Sequence, residues 1–194
     1  MWFRRTPLAE ARWVVVDCET SGLDAKRDRL LSVAAVEVAG ERITGNARSA
    51  VVRQSEASTT QNILVHGLGA EAQRGGRPLA EVVRELSDFM REAIPVAFHA
   101  PFDRAILERT GLRAAKRRWL DLATLAPAFF PGRASDDLDG WLAAFGIECP
   151  ARHDALGDAY ATAQLMLVML AEARRQRVAS AEEIVKLAAA ATWL

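Results

Sequence analysis

The chain has 194 residues, of which 51% are apolar and 26% are charged, a composition typical of a folded domain and too apolar for a disordered chain. Lysine and arginine together number 25, and aspartate and glutamate together also number 25, so the formal net charge is zero. This balance excludes a broadly basic nucleic-acid coat protein, but not an enzyme that holds only one strand end.

The first half of the chain begins with strands. Residues 12–19 read Arg-Trp-Val-Val-Val-Asp-Cys-Glu, a β-branched run that predicts a buried strand, and a turn follows it. Residues 30–38 and 43–53 are predicted as the second and third strands, and their short connections favour an antiparallel meander. We predict a loop around residues 73–78 and a helix over residues 79–91, where apolar residues recur at helical spacing.

The second half of the chain alternates strands with helices, which favours an α/β layer architecture with a mixed sheet. We expect a single domain over residues 1–194. Neither a G-x-G-x-x-G sequence nor a P-loop sequence is present, so dinucleotide and P-loop functions lose their main support. The predicted strands are residues 94–98 and 119–125, and the predicted helices are residues 102–109, 138–145, 155–176 and 180–193, with Ser180 as the last N-cap.

The cysteines and the apolar stretches predict the cellular setting. Cys18 and Cys149 are too few to staple a domain of this size, and the apolar run around Cys18 predicts a buried free thiol and a reducing compartment. Residues 1–11 show no secretory signal. The longest uncharged apolar stretch, residues 159–171, is too short to span a bilayer. We therefore expect a cytoplasmic protein with no membrane partner, and the oligomeric state stays open.

Two carboxylates close the first predicted strand. Asp17 and Glu19 stand two positions apart, so their side chains project from one face, while Cys18 points the other way. Adjacent carboxylates repel each other unless a cation lies between them or one of them is protonated. The alternative is a solvated strand end that leads into a turn.

Two more acidic residues and a histidine lie near the starts of predicted helices. Asp103 opens the helix after the fourth strand, where helix capping is the alternative explanation. Asp158 lies among small residues such as Ala155 and Ala159, which predicts a closely packed face where an unpaired carboxylate is unfavourable. His153, at or just before the start of the same helix, can reach that site. The alternative is an exposed loop histidine.

Together these residues indicate a catalytic metal centre. Asp17, Glu19, Asp103 and Asp158 form an all-oxygen set, which suits hard divalent cations such as Mg²⁺ or Mn²⁺. Two such ions about 3.5–4 Å apart are the usual apparatus for in-line displacement at a phosphodiester. A histidine titrates near neutral pH and can take the proton from the attacking water.

Three motifs in this order resemble those of a known enzyme family. D-x-E-T-x-G-L at residues 17–23, F-D at residues 102–103 and H-x-A-x-x-D at residues 153–158 are similar to the exonuclease motifs of the DnaQ-like (DEDDh) 3′–5′ exonucleases. That family includes the epsilon proofreading subunit of bacterial DNA polymerase III and RNase T. The resemblance covers residues 13–173 and implies an α/β, RNase H-like fold, a five-stranded mixed sheet flanked by helices. Residues 174–194 have no counterpart in the family, and we expect them to form a helical extension that packs on the domain or holds a partner.

The resemblance also implies a role for each acidic residue and for the histidine. Asp17, Glu19 and Asp158 correspond to direct metal ligands, and Asp103 completes the acidic set. His153 corresponds to the general base. With two Mg²⁺ or Mn²⁺ ions, these residues would hydrolyse a phosphodiester.

Four further residues correspond to substrate contacts in the family. Thr20 and Leu23 would line the site for the terminal nucleotide, and His66 and Phe102 would contact its sugar or base. The alternatives are turn capping for Thr20, core packing for Leu23 and Phe102, and a loop histidine for His66. One departure is that Phe98-His99 replaces the His-Asn of many members, which leaves the hydrogen bonding around the second motif open.

The leading hypothesis is a metal-dependent exonuclease that releases nucleoside 5′-monophosphates from single-stranded or frayed 3′ ends, with DNA as the expected polymer. The family suggests a DNA polymerase or a replication or repair complex as a partner. Two alternatives stay open: a module that binds nucleic acid or a polymerase without cutting, and a small-molecule phosphodiesterase. The complete set of acids and histidine favours an enzyme over the binding module. The choice between DNA and RNA depends on how the pocket treats one 2′-hydroxyl, which the sequence leaves open.

Overall fold

Five strands form one mixed sheet in a computed structural model that describes residues 5–133 and 135–191. The order across the sheet is β3-β2-β1-β4-β5. β1 pairs with β2 and β2 with β3 in antiparallel fashion, whereas β1–β4 and β4–β5 are parallel. The prediction of a five-stranded mixed sheet is confirmed. The strands are β1 (Arg12–Thr20), β2 (Leu30–Ala39), β3 (Arg42–Val51), β4 (Ile94–Ala97) and β5 (Leu120–Asp121).

Eight α-helices accompany the sheet within the described ranges. They are α1 (Thr60–His66), α2 (Ala70–Gly75), α3 (Leu79–Phe89), α4 (Ala100–Arg109), α5 (Leu122–Phe129), α6 (Leu138–Ala144), α7 (Ala155–Arg175) and α8 (Ala181–Ala191). The predicted last helix extends to residues 192 and 193, which lie outside the described residues. Within residues 5–133 and 135–191, no helix combines the length and the apolar character that a bilayer span requires.

Alternate side chains of β1 pack into two separate hydrophobic cores, one on each face of the sheet. Trp13 and Val15 pack in a core with α5, α6, α7 and α8, whereas Val14 and Val16 pack in a second core with α3 and α4. All four side chains are fully buried. Because residues at i and i+2 share a face, this pattern fixes the direction of the side chains that follow at the end of β1.

Helix α7 lies on β1 and β2 and starts close to the end of β1. Its small residues Ala159 and Ala163 are fully buried, so the helix can approach the sheet closely. The Asp154 side chain caps the helix, because its Oδ1 accepts a hydrogen bond from the N–H of Gly157 at 2.9 Å. The first turn of α7 is therefore held firmly beside the strand that carries the first motif.

The predicted strand over residues 119–125 is wrong for most of its length. Only Leu120–Asp121 is a strand, and α5 begins at Leu122. The Asp121 side chain accepts a hydrogen bond from the N–H of Ala123 at 3.0 Å, so this residue caps the helix. Residues 122, 125, 126 and 129 are buried, which is helical spacing. An apolar run this short can be either element, and the capping aspartate decides between them.

Helices α1 and α2 were not predicted, and α2 overlaps the start of the predicted loop at residues 73–78. Among its described residues, α1 buries only His66 and leaves Leu64 80% exposed, so it lacks the buried apolar stripe that the prediction relies on. Local signals define it instead. The Thr59 hydroxyl accepts from the N–H of Asn62 at 3.2 Å, and Gly67 ends the helix at φ 70°.

The C-terminal helix α8 packs on α5 in the first core. Ile184 and Ala188 are buried there. The Ser180 hydroxyl accepts from the N–H of Glu183 at 3.4 Å, in agreement with the predicted N-cap. The N–H of Ala181 donates to the carbonyl of Thr6 at 2.9 Å, so the helix is also tied to the segment before β1.

Candidate active site

β1, α4 and α7 bring the predicted acidic residues and the histidine to one open cavity of about 520 Å³. Asp17 and Glu19 lie at the end of β1, Asp103 in the first turn of α4, Asp158 in the first turn of α7, and His153 in the turn before α7. The sequence separates these residues by up to 141 positions, and the parallel pairing of β1 with β4 places the start of α4 beside the end of β1.

Three of the carboxylates form a compact cluster. Asp17, Glu19 and Asp158 each offer an oxygen atom, and these atoms lie within 4.8 Å of one another. Asp17 and Glu19 project from the face of β1 that packs against α7, which is the face that the alternation predicts. Asp103 lines the same cavity from the other side of β1. There its carboxyl group is a hydrogen-bond partner of the Cys18 thiol. Three crowded oxygen donors are the chemistry that suits a hard divalent cation.

Three of these acidic residues have raised pKa values in the metal-free protein. Burial raises the pKa of Asp17 well above its ordinary value, and the charges of Asp103, Asp158 and Glu19 raise it further. Burial, followed by the charge of Asp158, raises the pKa of Glu19 to about 7. Burial also raises the pKa of Asp103 to about 7. A divalent cation would compensate this repulsion, so the donor set fits such an ion.

These pKa shifts predict that the metal-free protein loses stability as the pH rises towards neutrality. A carboxyl group whose pKa is higher in the folded state binds more protons there. Its stabilisation is complete below the unfolded pKa and is lost as the pH rises through the folded pKa. For Glu19 that interval runs from 4.5 to about 7. We expect the Tm in excess chelator to fall between about pH 5 and about pH 8.

A matched variant isolates the contribution of the acidic cluster. Burial lowers the pKa of His66, so His66 binds a proton more strongly in the unfolded chain. Its effect on stability is therefore opposite, because it raises the stability of the folded protein as the pH rises. Glu19→Gln removes one titrating carboxyl group and keeps His66, so its Tm should fall less than that of the wild type. Thermal unfolding of both proteins in chelator measures the difference. Parallel Tm profiles of the two proteins would contradict the assignment to Glu19.

Both oxygens of Asp158 have partners. Oδ2 accepts a hydrogen bond from the backbone N–H of His153 at 3.0 Å. Oδ1 accepts from Nη1 of Arg152 and, at 3.4 Å, from the thiol of Cys149. His153 itself has φ 59°, in the left-handed region, and its side chain is exposed at the cavity. The tight turn thus holds Asp158 through the backbone N–H of His153 and leaves the imidazole of His153 exposed at the cavity.

The second motif contains the Phe98-His99 departure from the family. His99 has φ 60° at the N-cap position of α4, a backbone conformation that histidine and asparagine adopt more readily than most residues. Its Nε2 donates to the carbonyl of Asp136 at 3.2 Å, and its ring meets that of Phe98 edge to face at 4.7 Å. In this chain His99 therefore adopts the left-handed turn before α4 and links α4 to the loop before α6.

Two of the four predicted substrate contacts line the cavity. Leu23 is 92% exposed, which rules out core packing for this residue. Phe102 is half-buried and packs against the second core while it also lines the cavity. Both are apolar surfaces beside the acidic cluster, as a contact with a base or sugar requires.

The other two predicted contacts do not line the cavity. The Thr20 hydroxyl donates to the carbonyl of Gly22 at 2.6 Å, which is a turn contact. His66 is buried in α1, where its Nδ1 accepts from the N–H of Leu68 and its Nε2 donates to Oδ1 of Asn62, both at 2.9 Å. Their roles towards a substrate stay predictions.

The sequence did not mark three residues near the cluster as site residues. Arg152 and Cys149 contact Asp158 directly, and Asp139 contacts Arg152. Arg152 directly precedes the motif histidine, so its position was a local signal. An arginine in a turn is usually solvated, however, and only the fold brings Asp139 within its reach.

The comparisons with known proteins identify the family. The model of the exonuclease family RNase_T matches residues 14–166. The chain is 34% identical over 172 residues to a "DNA polymerase III subunit epsilon-like protein" of Rhodobacter capsulatus, with 85% of this chain and 24% of that protein covered. It is 30% identical over 170 residues to the "DNA polymerase III PolC-type" of Streptococcus suis, with 86% and 12% covered. The chain thus spans about a quarter or less of these relatives.

Solved exonuclease structures share the fold. E. coli Exonuclease I in complex with a dT13 oligonucleotide superposes with a TM-score of 0.74 at 18% identity, covering 86% of this chain and 42% of that chain. Exonuclease X in complex with 5′ overhanging duplex DNA gives a TM-score of 0.73 at 22% identity, covering 91% and 99%. The expected RNase H-like fold is confirmed. Because the family match spans all three motifs, the chain belongs to the RNase_T exonuclease family, as its resemblance to the DnaQ-like enzymes indicated.

Proposed function

We propose that this protein is a divalent-cation-dependent 3′–5′ exonuclease that releases nucleoside 5′-monophosphates from single-stranded or frayed 3′ ends of DNA. One observation carries the proposal. Asp17, Glu19 and Asp158 place their oxygen atoms within 4.8 Å of one another, in an open cavity that Asp103 and His153 also line. The complete set lies in a chain of an exonuclease family, which favours catalysis over binding alone.

Asp17, Glu19 and Asp158 would hold the cations, and Asp103 would complete the set for a second ion. Mg²⁺ and Mn²⁺ fit these oxygen donors. Two bound ions would polarise the phosphodiester, lower the pKa of the attacking water and stabilise the leaving 3′-oxygen.

His153 would act as the general base. Its imidazole is exposed at the cavity, while its backbone N–H holds Asp158 at 3.0 Å. The residue therefore combines a backbone held by its contact with Asp158 and an exposed side chain, which would approach the attacking water and accept its proton. Leu23 and Phe102 offer the apolar surfaces on which the terminal nucleotide would rest.

The relatives support DNA as the polymer and a polymerase as the partner. Two of them bear names of DNA polymerase III proteins, and two neighbours in fold were solved with DNA. The zero net charge favours few phosphate contacts and weak processivity for the chain alone. We propose that residues 1–194 act as one exonuclease domain and that a polymerase or a repair complex holds the substrate nearby.

The test of this function is a panel of substrates that differ in their ends. We expect a linear single-stranded DNA to be degraded in Mn²⁺, and the same strand to resist when it is circular or ends in a 3′-phosphate. The reason is that the cavity acts on a free 3′ end. Equal rates on the circular strand would indicate an endonuclease. Hydrolysis of an isolated dinucleotide, with none of the polymer, would indicate a small-molecule phosphodiesterase.

A further inference from the structure

An arginine side chain contacts the acidic cluster. Arg152, in the turn before α7, donates from Nη1 to Oδ1 of Asp158 and from Nε to Oδ1 of Asp139 at 2.5 Å, and its Nη2 lies 3.4 Å from Oδ2 of Asp139. The Arg152 side chain is 25% exposed, that of Asp158 is 6% exposed and that of Asp139 is 62% exposed. The guanidinium therefore bridges a buried carboxylate of the cluster and a carboxylate at the surface.

The contact with Asp158 occupies an oxygen that a divalent cation needs. Oδ2 of Asp158 already accepts the N–H of His153, and Arg152 occupies Oδ1. The oxygens of the cluster lie within 4.8 Å of one another, so a cation held by them would lie close to the guanidinium. Two positive charges at such a distance repel each other strongly. The contact between Arg152 and Asp158 therefore opposes the binding of a cation at this carboxylate.

Asp139 gives the guanidinium a second place to bind. Its two oxygens face Nε and Nη2 of Arg152, an arrangement that guanidinium and carboxylate groups favour. Because Asp139 lies outside the cavity and is largely exposed, this pair can persist when Asp158 is released. In the metal-free protein the positive charge also opposes the effect of burial on Asp17 and Glu19, whose pKa values it lowers.

We propose that Arg152 is an internal counter-cation that competes with the divalent cation for Asp158 and thereby sets the affinity of the site for metal. Without metal, the guanidinium neutralises Asp158. When a divalent cation binds, the guanidinium releases Asp158 and stays paired with Asp139. Arg152 is thus a positioning residue for the acidic cluster. The inference rests on the proposed function, because it takes Asp158 as a cation ligand.

Removal of the Arg152 guanidinium and removal of the Asp139 carboxylate should change the affinity for Mn²⁺ in opposite directions. Arg152→Met keeps an apolar stem and removes the competing charge, so the apparent Kd for Mn²⁺ should fall about tenfold or more, while the metal-free Tm falls. Asp139→Asn removes the outer ion pair and leaves the guanidinium on Asp158, so the apparent Kd should rise severalfold. Calorimetric titration of the metal-free chain with Mn²⁺, without nucleic acid, measures both values.

Two controls separate this competition from a general change of charge. In a double-mutant cycle, Asp139→Asn should have little effect once residue 152 is methionine, because the effect acts through the guanidinium. Asp136→Asn removes one negative charge from the loop just before α6, three positions from Asp139, and the Asp136 side chain is exposed and lies outside the Arg152 ion pairs. Its apparent Kd for Mn²⁺ should equal that of the wild type.

The outcomes distinguish this inference from the proposed function. Tighter binding by Arg152→Met together with weaker binding by Asp139→Asn supports the competition. Unchanged affinity in Arg152→Met overturns it, and so does weaker binding in both variants, which would make Arg152 a structural support. If Arg152→Met does not fold, a raised Kd in Asp139→Asn supports the inference and an unchanged Kd overturns it. A wild-type protein that binds no Mn²⁺ overturns the proposed metal site as well.

Discussion

Asp17→Asn should abolish both hydrolysis and the stabilisation that Mn²⁺ gives the folded protein. Asp17 is one of the three carboxylates whose oxygens lie within 4.8 Å of one another, and an amide is a weaker cation ligand with no charge. With the cation at 100 times its Kd, the wild type should gain about 2.7 kcal/mol. For a chain of this length that corresponds to a rise in Tm of roughly 5–10 °C, and the variant should show none.

The fold of Asp17→Asn should survive, because asparagine resembles the protonated carboxyl group. Burial already raises the pKa of Asp17 well above its ordinary value, so the metal-free Tm of the variant should equal or exceed that of the wild type near neutral pH. Asp88→Asn is the matched control: its side chain is 65% exposed in a surface ion pair with Arg91. This control should keep the full Mn²⁺ shift. An undiminished shift in Asp17→Asn would contradict the proposed ligand set.

His153→Asn should lower turnover by about 10²–10⁴-fold, the range for a positioned acid–base group, and leave Mn²⁺ affinity nearly unchanged. The contact with Asp158 comes from the backbone N–H of residue 153, which the variant keeps. Asparagine also tolerates the left-handed backbone at φ 59°. His153→Ala should lose the same activity, with a further loss of stability of about 1 kcal/mol from that backbone strain.

His99→Asn is the matched control for the histidine. His99 lines the same cavity, has φ 60°, and stands where many relatives of the DnaQ-like family have asparagine. Its turnover should stay within severalfold of the wild type. Single-turnover rates and Mn²⁺ titrations of the variants give both quantities. Equal rates for wild type and His153→Asn would remove His153 from the mechanism, and lost Mn²⁺ binding would make it a ligand.

The acidic site was predictable because its signals are local. Strand alternation put Asp17 and Glu19 on one face, and the small residues of α7 marked the closely packed surface that carries Asp158. The three motifs, in the order found in the family, then indicated that these acidic residues belong to one site. The structure places these residues in one cavity with Asp103 and His153, as the sequence led us to expect.

The features that the sequence did not predict depend on contacts between segments that only the fold brings together. Arg152 and Asp139 stand 13 positions apart, and their ion pair exists only because α6 and the turn before α7 meet. His66 corresponds to a substrate contact in the family, yet both of its ring nitrogens form hydrogen bonds within its own segment, to Asn62 and Leu68. The apolar run around Cys18 predicted a buried thiol, but Cys18 is half-buried and lines the cavity. The reason is that β1 ends at an open site there.

A time course on a 5′-labelled single-stranded DNA tests the central claim most directly. With the wild-type protein in Mn²⁺, we expect a ladder of products that shorten one nucleotide at a time from the 3′ end, with nucleoside 5′-monophosphates released. The same reaction in excess chelator, and the reaction of Asp17→Asn in Mn²⁺, should leave the strand intact. Robust hydrolysis in chelator, or a first product cut within the strand, would contradict a cation-dependent 3′–5′ exonuclease.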